Sequence, residues 1–399
     1  MATVRPFRAL RPTPEAAERV ASVPYDVVSS QEARELAEGN DLSFLHVIRP
    51  EIDLPHGTNE HADEVYTAGR EALDRLAATE HFVQEEEPSL YVYRLEMNGR
   101  GQTGIFGLVS AQEYNDDVIL KHELTRPDKE DDRTRHILTQ EAHAEPVMLI
   151  YRAHEAIDDA VDAAMDTEPL FDFRAKDYVQ HTVWLLDDPG PVVDAFAEID
   201  ALYVADGHHR SAAASRAAKE SAAEGAQHFL AVLFPMEDME ILPYNRAIRD
   251  LPAGPRKFLQ QLQARAEIEE TVLADPDEPG MVGVYLGEEF GWLQMVLPET
   301  ARDGIADTLD VARLAEHVLE PLLGITDPRT DENIVFVGGI RGTEELERLV
   351  DSGECDVAFA MFPTNPEDLL DVSDEGELMP PKSTWFEPKL RSGLLVHRF

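Results

Sequence analysis

The residues best suited to chemistry lie together at one turn, Asp206-Gly207-His208-His209-Arg210. An apolar run ends at this turn and an alanine-rich run follows it, which predicts a strand, a glycine turn and the start of a helix. A helix start presents backbone N–H groups and a partial positive charge, and both suit a phosphate group. Gly207 would let the backbone approach a ligand closely, and Arg210 would add a forked, permanently charged donor. The turn therefore predicts a site for nucleotide phosphates.

Alternative roles stay open for the first residues of this turn. Asp206 is placed to hold a magnesium ion that bridges phosphates, or only to cap the helix. The two histidines belong either to the phosphate site or to the surface. We do not expect them to bind zinc, because neighbours on a helix point to different faces and no third ligand has the right spacing. The single cysteine, Cys355, excludes a cysteine-based zinc site and an internal disulfide.

A second cluster of positive charge covers residues 121–133. It holds two of the seven lysines of the chain, two arginines and one histidine. We expect a cationic loop after a strand, in which Lys121, His122, Lys129 and Arg133 face a polyphosphate. A solvated loop held by salt bridges is the alternative.

A third cluster, residues 379–389, sets two lysines, hydroxyl groups and two aromatic rings between prolines that stiffen the chain. Lys382, Ser383 and Thr384 would clamp a substrate there, and a packed C-terminal plug is the alternative interpretation.

Two weaker motifs place polar groups beside prolines, at residues 24–26 and 242–246. Tyr25, Asn245 and Arg246 are candidates for substrate binding. Asp26 is a candidate base for a substrate hydroxyl, or part of an ordinary helix N-terminus.

The charge of the chain excludes some classes of partner. With 79 acidic residues against 35 basic ones, the formal net charge is -44. A surface this acidic repels nucleic acid and anionic membranes. The acids are spread along the whole chain, which favours adaptation to high salt, where ions screen the repulsion between carboxylates. In such a background an isolated Asp or Glu carries little information, whereas a cluster of basic residues does.

Composition and hydropathy indicate a soluble protein. No run of about eighteen apolar residues is present, so we expect no membrane span. The first residues lack the apolar core of a signal peptide, and we expect a cytoplasmic protein. A homodimer is compatible with this composition.

The pattern of apolar residues predicts an α+β fold rather than a doubly wound sheet. Residues 89–95 and 103–114 read as a hairpin around the Asn98-Gly99 turn, and residues 44–48 as a strand. Residues 211–224 read as a helix. Prolines and a glycine at 252–255 suggest a linker, which divides the chain into a core region, 1–250, and a C-terminal α+β region, 251–399, whose last segment returns to the site.

These motifs, in this order, resemble those of the prokaryotic family called domain of unknown function 1015. The resemblance spans nearly the whole chain. The turn at Asp206 is also similar to the signature of the ParB/sulfiredoxin-like fold, in which a Gly-x-x-Arg turn at a helix start binds nucleotide phosphates. Archaeal free serine kinases of that fold carry Asp-Gly-His-Thr-Arg, so only His209 departs from their pattern. The cysteine of sulfiredoxins is replaced by His208, so their chemistry is not expected.

The resemblance implies a ParB/sulfiredoxin-like core with a mixed sheet that uses ATP or ADP with Mg²⁺ to phosphorylate L-serine, giving O-phospho-L-serine. Asp206 would hold the metal ion, and Asp26 or Glu123 would orient the serine hydroxyl. A kinase or phosphatase acting on another small hydroxyl compound and a non-catalytic nucleotide sensor are the alternatives. The residues so assigned are Asp26, His122, Glu123, Asp206 and His208 for catalysis, Lys121, Lys129, Arg133, Gly207, His209 and Arg210 for nucleotide phosphates, and Tyr25, Asn245, Arg246, Lys382, Ser383 and Thr384 for substrate.

Overall fold

The computed structural model describes all 399 residues and divides them into two compact units. The first unit comprises Met1–Lys121, Thr125–Met239 and Pro388–Phe399, and the second comprises His122–Leu124 and Glu240–Glu387. The last twelve residues of the chain therefore belong to the same unit as the first. No helix combines the length and the apolar character that crossing a bilayer requires.

The strands are numbered in chain order. They are β1 (Val4–Arg5), β2 (Leu10–Pro12), β3 (Phe82–Gln84), β4 (Tyr91–Met97), β5 (Arg100–Ser110), β6 (Ile119–Leu120), β7 (Ala142–His143), β8 (Val147–Tyr151), β9 (Phe171–Arg174), β10 (Gln180–Leu185), β11 (Leu202–Asp206), β12 (His228–Pro235), β13 (Ile241–Leu242), β14 (Tyr244–Ile248), β15 (Ile268–Glu270), β16 (Met281–Tyr285), β17 (Trp292–Val296), β18 (Ile334–Gly338), β19 (Val357–Met361), β20 (Trp385–Phe386) and β21 (His397–Arg398).

The α-helices are numbered in the same way, and short 3-10 or π turns occur between some of them. The helices are α1 (Ala17–Val20), α2 (Ser30–Ala37), α3 (Leu45–Ile48), α4 (Asp63–Ala77), α5 (Ala111–Asn115), α6 (Pro127–Gln140), α7 (Glu155–Met165), α8 (Gly190–Phe196), α9 (His208–Glu220), α10 (Pro255–Gln263), α11 (Asp310–Leu314), α12 (Glu320–Leu323), α13 (Gly342–Asp351) and α14 (Pro366–Asp374).

The first unit is built on a nine-stranded mixed sheet. Its order is β6-β11-β8-β12-β5-β4-β10-β9, and β1 pairs with β5. Two pairs of strands, β6 with β11 and β8 with β12, are parallel, and the other pairs are antiparallel. The predicted α+β class with a mixed sheet is therefore confirmed. The sheet matters for function because β11 lies near one edge and delivers Asp206 to the start of α9.

The second unit contains a separate six-stranded sheet in the order β15-β17-β16-β19-β14-β18. All of its strand pairs are antiparallel. One face packs a core that includes Ala247, Ala358 and Ala360 against Leu346 and Leu349 of α13. Side chains alternate between the two faces of a strand, so Tyr244 and Arg246 of β14 lie on the face opposite to Ala247.

The hairpin predicted around Asn98-Gly99 is present between β4 and β5. Met97 pairs with Arg100, which leaves two residues in the turn, with φ angles of 54° and 81°. Two consecutive positive φ angles define a type I′ turn, and Asn-Gly is its preferred sequence. The predicted strand at residues 44–48 is wrong, because the chain forms α3 at Leu45–Ile48. Five consecutive apolar residues carry no periodicity that distinguishes a buried helical turn from a strand.

Residues 121–133 are not a loop throughout, since α6 begins at Pro127. A proline at the first helical position has a φ angle already set for the helix. Asp128 and Glu130 in the first turn interact favourably with the helix dipole. The basic residues of the segment suggested a cationic loop, but the local sequence from Pro127 is that of a helix N-terminus.

Three buried histidines make the stability of the first unit sensitive to pH. Burial holds the pKa of His136, His143 and His181 well below its usual range, so these rings are neutral in the folded protein. In the unfolded chain they protonate near pH 6.5, so their contribution to stability is present above that pH and is lost as the pH falls. We expect the free energy of unfolding to fall between pH 7 and pH 5, by up to about 1.4 kcal/mol per pH unit for each ring.

Urea unfolding at a series of pH values measures this slope. A His143→Gln variant is expected to show a shallower slope than the wild type, and a His56→Gln variant, at an exposed position, an unchanged one. Equal slopes for the wild type and the His143 variant would contradict the expectation.

Candidate functional site

The turn that connects β11 to α9 has the geometry of an anion-binding helix start. Gly207 has a φ angle of 101°, which suits glycine, and no side chain caps the helix that begins at His208. The amides of the first turn of an α-helix have no intrahelical acceptor. A Cβ atom at position 207 would lie 3.1 Å from Nε of Arg210. The predicted sequence of strand, glycine turn and helix start is present, and the missing side chain leaves room beside the arginine.

The carboxylate of Asp206 is bound on both oxygens by cationic side chains. Oδ2 accepts a hydrogen bond from Nη2 of Arg210 at 2.7 Å, and Oδ1 accepts one from Nζ of Lys389 at 3.3 Å. Burial alone would raise the pKa of Asp206, but Lys389 and Arg210 outweigh it and hold that pKa well below its usual range. Two cations on one carboxylate compete with a divalent ion, so this donor set does not fit direct coordination of Mg²⁺. The geometry makes Asp206 an anchor for the two cations.

Arg210 is held from two sides, and its Nε–H has no protein acceptor. Nη1 donates to the carbonyl of Pro146, while Nη2 binds Asp206. The side chain is 5% exposed, and Nε is buried without a hydrogen-bond partner. Burial would lower the pKa of Arg210, but Asp206 and Asp26 raise it above its usual value, so the guanidinium stays charged. The arginine is a rigid positive charge behind the helix start.

His209 does not supply the positive charge that the sequence suggested. Its Nε2 accepts a hydrogen bond from the backbone N–H of Arg126 at 3.0 Å. A ring nitrogen that accepts a hydrogen bond carries no proton, so this imidazole is neutral in the observed arrangement. Arg126 is the N-cap of α6. The function of His209 that the contact supports is to tie the start of α6 to the start of α9.

Glu145 connects the Tyr25 turn to the same region. Its Oε1 accepts the backbone N–H of Tyr25 at 3.2 Å, and its Oε2 accepts Nη1 of Arg133 at 3.2 Å. The guanidinium of Arg133 stacks on the ring of Tyr25, 3.9 Å from its centroid. Arg133 also binds Asp132 at 2.6 Å, and both side chains are only 7% exposed. Arg133, predicted to bind phosphate, is therefore the buried centre of an ion-pair network.

Asp26 is a carboxylate of this region that no other protein group binds, and we call such a group uncommitted. It is exposed and forms no hydrogen bond or ion pair, while its charge acts on Arg210 and Glu145. Burial raises the pKa of Glu145, and Asp26 adds to that rise against the opposing effect of Arg133 and Arg210. A carboxylate that no protein group binds is available to accept a hydrogen bond from a substrate hydroxyl.

The two lysines predicted to bind phosphate differ in their contacts. Nζ of Lys121 forms an ion pair with Asp117 at 2.6 Å and donates to the carbonyl of Tyr114 at 3.1 Å. Lys129 lies in the first turn of α6, is half-buried and has neither an ion pair nor a hydrogen bond from its side chain. Lys129 therefore keeps an uncommitted positive charge, whereas Lys121 is held in place by its neighbours.

Two residues of this network were not singled out from the sequence. Lys389 lies at the end of the third cluster, residues 379–389. Lysine is rare in this chain, with seven in total, and that rarity could have drawn attention to Lys389. Glu145 gave no signal, because it is one of 79 acidic residues and follows no motif. Its role depends on contacts with residues 120 and 12 positions away in the chain.

The other predicted residues belong to the second unit, and several have local structural contacts. Oδ1 of Asn245 accepts the backbone N–H of Met361 at 2.9 Å, which joins β14 to β19. The hydroxyl of Ser383 donates to the carbonyl of Pro380 at 2.6 Å. The predicted residues placed in this unit are His122, Glu123, Asn245, Arg246, Lys382, Ser383 and Thr384.

Comparison with known proteins gives one family and a set of distant structures. The family model described as "Protein of unknown function (DUF1015)" matches residues 4–312. No curated protein matches the chain. Among solved structures, a conserved hypothetical protein from Pyrococcus furiosus has 15% identity and a TM-score of 0.38, over 73% of this chain and 94% of that one.

Two further solved structures have similar values. A free serine kinase in complex with AMP has 14% identity and a TM-score of 0.37, over 73% of this chain and 91% of that one. A C-terminally truncated SbnI from Staphylococcus aureus has 12% identity and a TM-score of 0.39, over 73% and 86%. Likeness at this level transfers no activity, so any function has to be argued from the residues of the site.

Proposed function

The chain belongs to the DUF1015 family, and from that premise we propose that it is a nucleotide-dependent phosphotransferase that phosphorylates free L-serine. One observation carries the proposal. The helix α9 begins after Gly207 without a side-chain cap, and the buried guanidinium of Arg210 lies beside Gly207 with its Nε–H free of a protein acceptor. The charge of Asp26, the candidate base for an alcohol, acts on the same guanidinium.

The phosphates would lie at the first turn of α9. The amides of that turn and the helix dipole favour an anion, Gly207 leaves space for it, and Arg210 adds a fixed charge whose Nε–H has no protein acceptor. His208 begins this helix and would bind or orient the same group. Lys129 would neutralise charge on the transferred phosphoryl group, which is where phosphoryl transfer gains most. The ParB/sulfiredoxin-like assignment of this core, based on the Gly-x-x-Arg pattern, is part of the proposal.

The acceptor hydroxyl would be oriented by Asp26. In the transfer, the bond between the terminal phosphorus and its bridging oxygen breaks, a bond from the serine Oγ to that phosphorus forms, and the hydroxyl proton passes to the carboxylate. The nucleotide leaves one phosphate shorter and enters as its magnesium complex. Glu123 remains the alternative base, and His122, Asn245, Lys382, Ser383 and Thr384 remain candidates for contacts with the substrates. L-serine as acceptor rests on the similarity of Asp206–Arg210 to the turn of free serine kinases.

A direct assay tests the proposal. The purified chain is incubated with ATP or ADP, Mg²⁺ and L-serine in molar KCl, because the net charge of -44 calls for screening, and O-phospho-L-serine is measured by mass spectrometry. We expect phosphoserine with one of the two nucleotides. If a parallel panel of other alcohols shows phosphorylation of one of them and not of L-serine, the proposed phosphotransferase activity stands and the proposed acceptor is wrong. Nucleotide binding by calorimetry without turnover of any acceptor would contradict the enzyme and favour a nucleotide sensor.

A further inference from the structure

One buried arginine of the second unit lacks the counter-charge that every other buried arginine has. Four arginines of the chain are buried. Three of them form ion pairs with carboxylates: Arg133 with Asp132 and Glu145, Arg210 with Asp206, and Arg391 with Asp177. The fourth, Arg246, is 3% exposed and forms no ion pair with any carboxylate. In a chain with 79 acidic residues, the absence of a carboxylate beside a buried guanidinium is unexpected.

The contacts of Arg246 satisfy only part of its hydrogen-bonding capacity. Nη1 donates to the carbonyl of Tyr244, and Nη2 donates to the carbonyl of Lys382 at 3.0 Å. A guanidinium has five N–H groups, and these two bonds go to neutral acceptors. The group also lies over the ring of Phe336, 5.5 Å from its centroid. Carbonyls and an aromatic face orient the guanidinium without neutralising it.

Burial of an unpaired charge is costly, and the electrostatics of the site reflect that cost. Burial lowers the pKa of Arg246 to about 10, and only the hydroxyl of Tyr244 acts in the opposite direction. Buried charges in proteins are paired or bind a charged ligand. A second cation is close, because Nζ of Lys382 lies 5.5 Å from the centroid of the Tyr244 ring. The charged groups of Arg246 and Lys382 therefore both lie near Tyr244.

The backbone around this arginine is also held in an unusual conformation. Lys382 has a φ angle of 60°, a region that non-glycine residues adopt rarely and at a cost of about 1 kcal/mol or more. The carbonyl that Arg246 binds belongs to this residue, and the following residue is held by the bond from Thr364 to the carbonyl of Ser383 at 2.8 Å. Strain of this kind is kept where the surroundings fix it, often at ligand sites.

We infer that Arg246 is the centre of an oxyanion-binding site in the second unit, which takes a carboxylate or phosphate group. The planar fork of an arginine matches two oxygens of either group, and such pairs are short and strong. The anion would supply the counter-charge that the chain itself does not. This inference concerns the second unit and holds whether or not the chain transfers a phosphoryl group.

Titration calorimetry on the full chain tests the site, with inorganic phosphate in one series and acetate in another, at constant ionic strength in KCl and without nucleotide. We expect saturable binding of at least one of the two anions, which identifies the group. An Arg246→Met variant should bind that anion at least about tenfold more weakly, the loss of one charge-assisted pair. The matched control is Arg249→Met, which removes an exposed arginine directly after the same strand and should leave anion binding unchanged.

Binding of neither anion to the wild type, or equal binding to the wild type and to the folded Arg246→Met variant, would overturn the inference. If the variant does not fold, a crystal of the wild type soaked in the anion that binds in the calorimetry decides. We expect that anion within hydrogen-bonding distance of the Arg246 guanidinium. Its absence there would contradict the inference.

Discussion

Replacement of Asp26 by asparagine is expected to lower kcat of serine phosphorylation by about 10²- to 10⁴-fold, the usual contribution of a positioned general base. The side chain is exposed and binds no other group, so the free energy of unfolding should change by less than about 0.5 kcal/mol. The substitution keeps the size of the side chain and removes its charge and basicity. Steady-state kinetics and urea unfolding of the same preparation measure both effects.

Two control variants give the Asp26 result its meaning. Asp187→Asn removes another exposed carboxylate of the first unit that forms no ion pair, and it should leave kcat unchanged. Glu123→Gln tests the alternative base. If the Glu123 variant loses the activity and the Asp26 variant keeps it, the assignment of the base to Asp26 is wrong, although the phosphotransferase itself would stand.

Replacement of Arg133 by methionine is expected to destabilise the first unit by about 3–5 kcal/mol, the cost of leaving buried carboxylates without their partner. Arg133 binds both Asp132 and Glu145, and those two carboxylates are 7% and 9% exposed. Because methionine fills much of the same volume, the loss of stability comes from the missing charge rather than from a cavity. Chemical unfolding followed by circular dichroism measures the change.

The pH dependence of this loss separates electrostatics from packing. In the wild type, burial would raise the pKa of Asp132, but Arg133 outweighs it and holds that pKa well below its usual range. The stability that this pair contributes is therefore present above about pH 4 and is lost as the pH falls through and below that value. Without Arg133 the carboxylates can take up protons, so the difference between variant and wild type should shrink from pH 7 to pH 4. A difference that is independent of pH would contradict the electrostatic account.

A substitution on the same helix provides the control for Arg133. Arg135 is exposed and forms an ion pair with Asp63 at the surface. Such pairs contribute about 1 kcal/mol or less, so Arg135→Met should have a small effect. If Arg133→Met and Arg135→Met lower the free energy of unfolding equally, the loss of any arginine from α6 has the same effect. The buried ion pairs of Arg133 would then add no stability of their own.

Local sequence signals predicted those parts of the fold that depend on single turns. The Asn98-Gly99 hairpin and the turn before α9 follow from residues that accept positive φ angles. The error at residues 44–48 arose because a short apolar run fits a buried turn of helix as well as a strand. The error at the start of α6 arose because the basic residues of the segment were given more weight than Pro127 and the acidic first turn of the helix.

The candidate site could be predicted as a set of motifs, but not as a network. The sequence pointed to Asp26, Arg133 and Arg210 without showing which of them carries an uncommitted charge. That distinction depends on Glu145 and Lys389, which bind these motifs or their neighbours from distant positions. The order of the motifs identified the family, whereas the contacts of Asp206 and His209 could not be read from the sequence.

The most direct measurement is a crystal structure of the protein with ADP or a non-hydrolysable ATP analogue. We expect phosphate oxygens within about 3 Å of the backbone N–H groups in the first turn of the helix that begins at His208. We also expect Asp26 to face the terminal phosphate. A bound nucleotide whose phosphates lie elsewhere on the chain, with that helix start in contact only with water, would show that this turn is not the phosphate site.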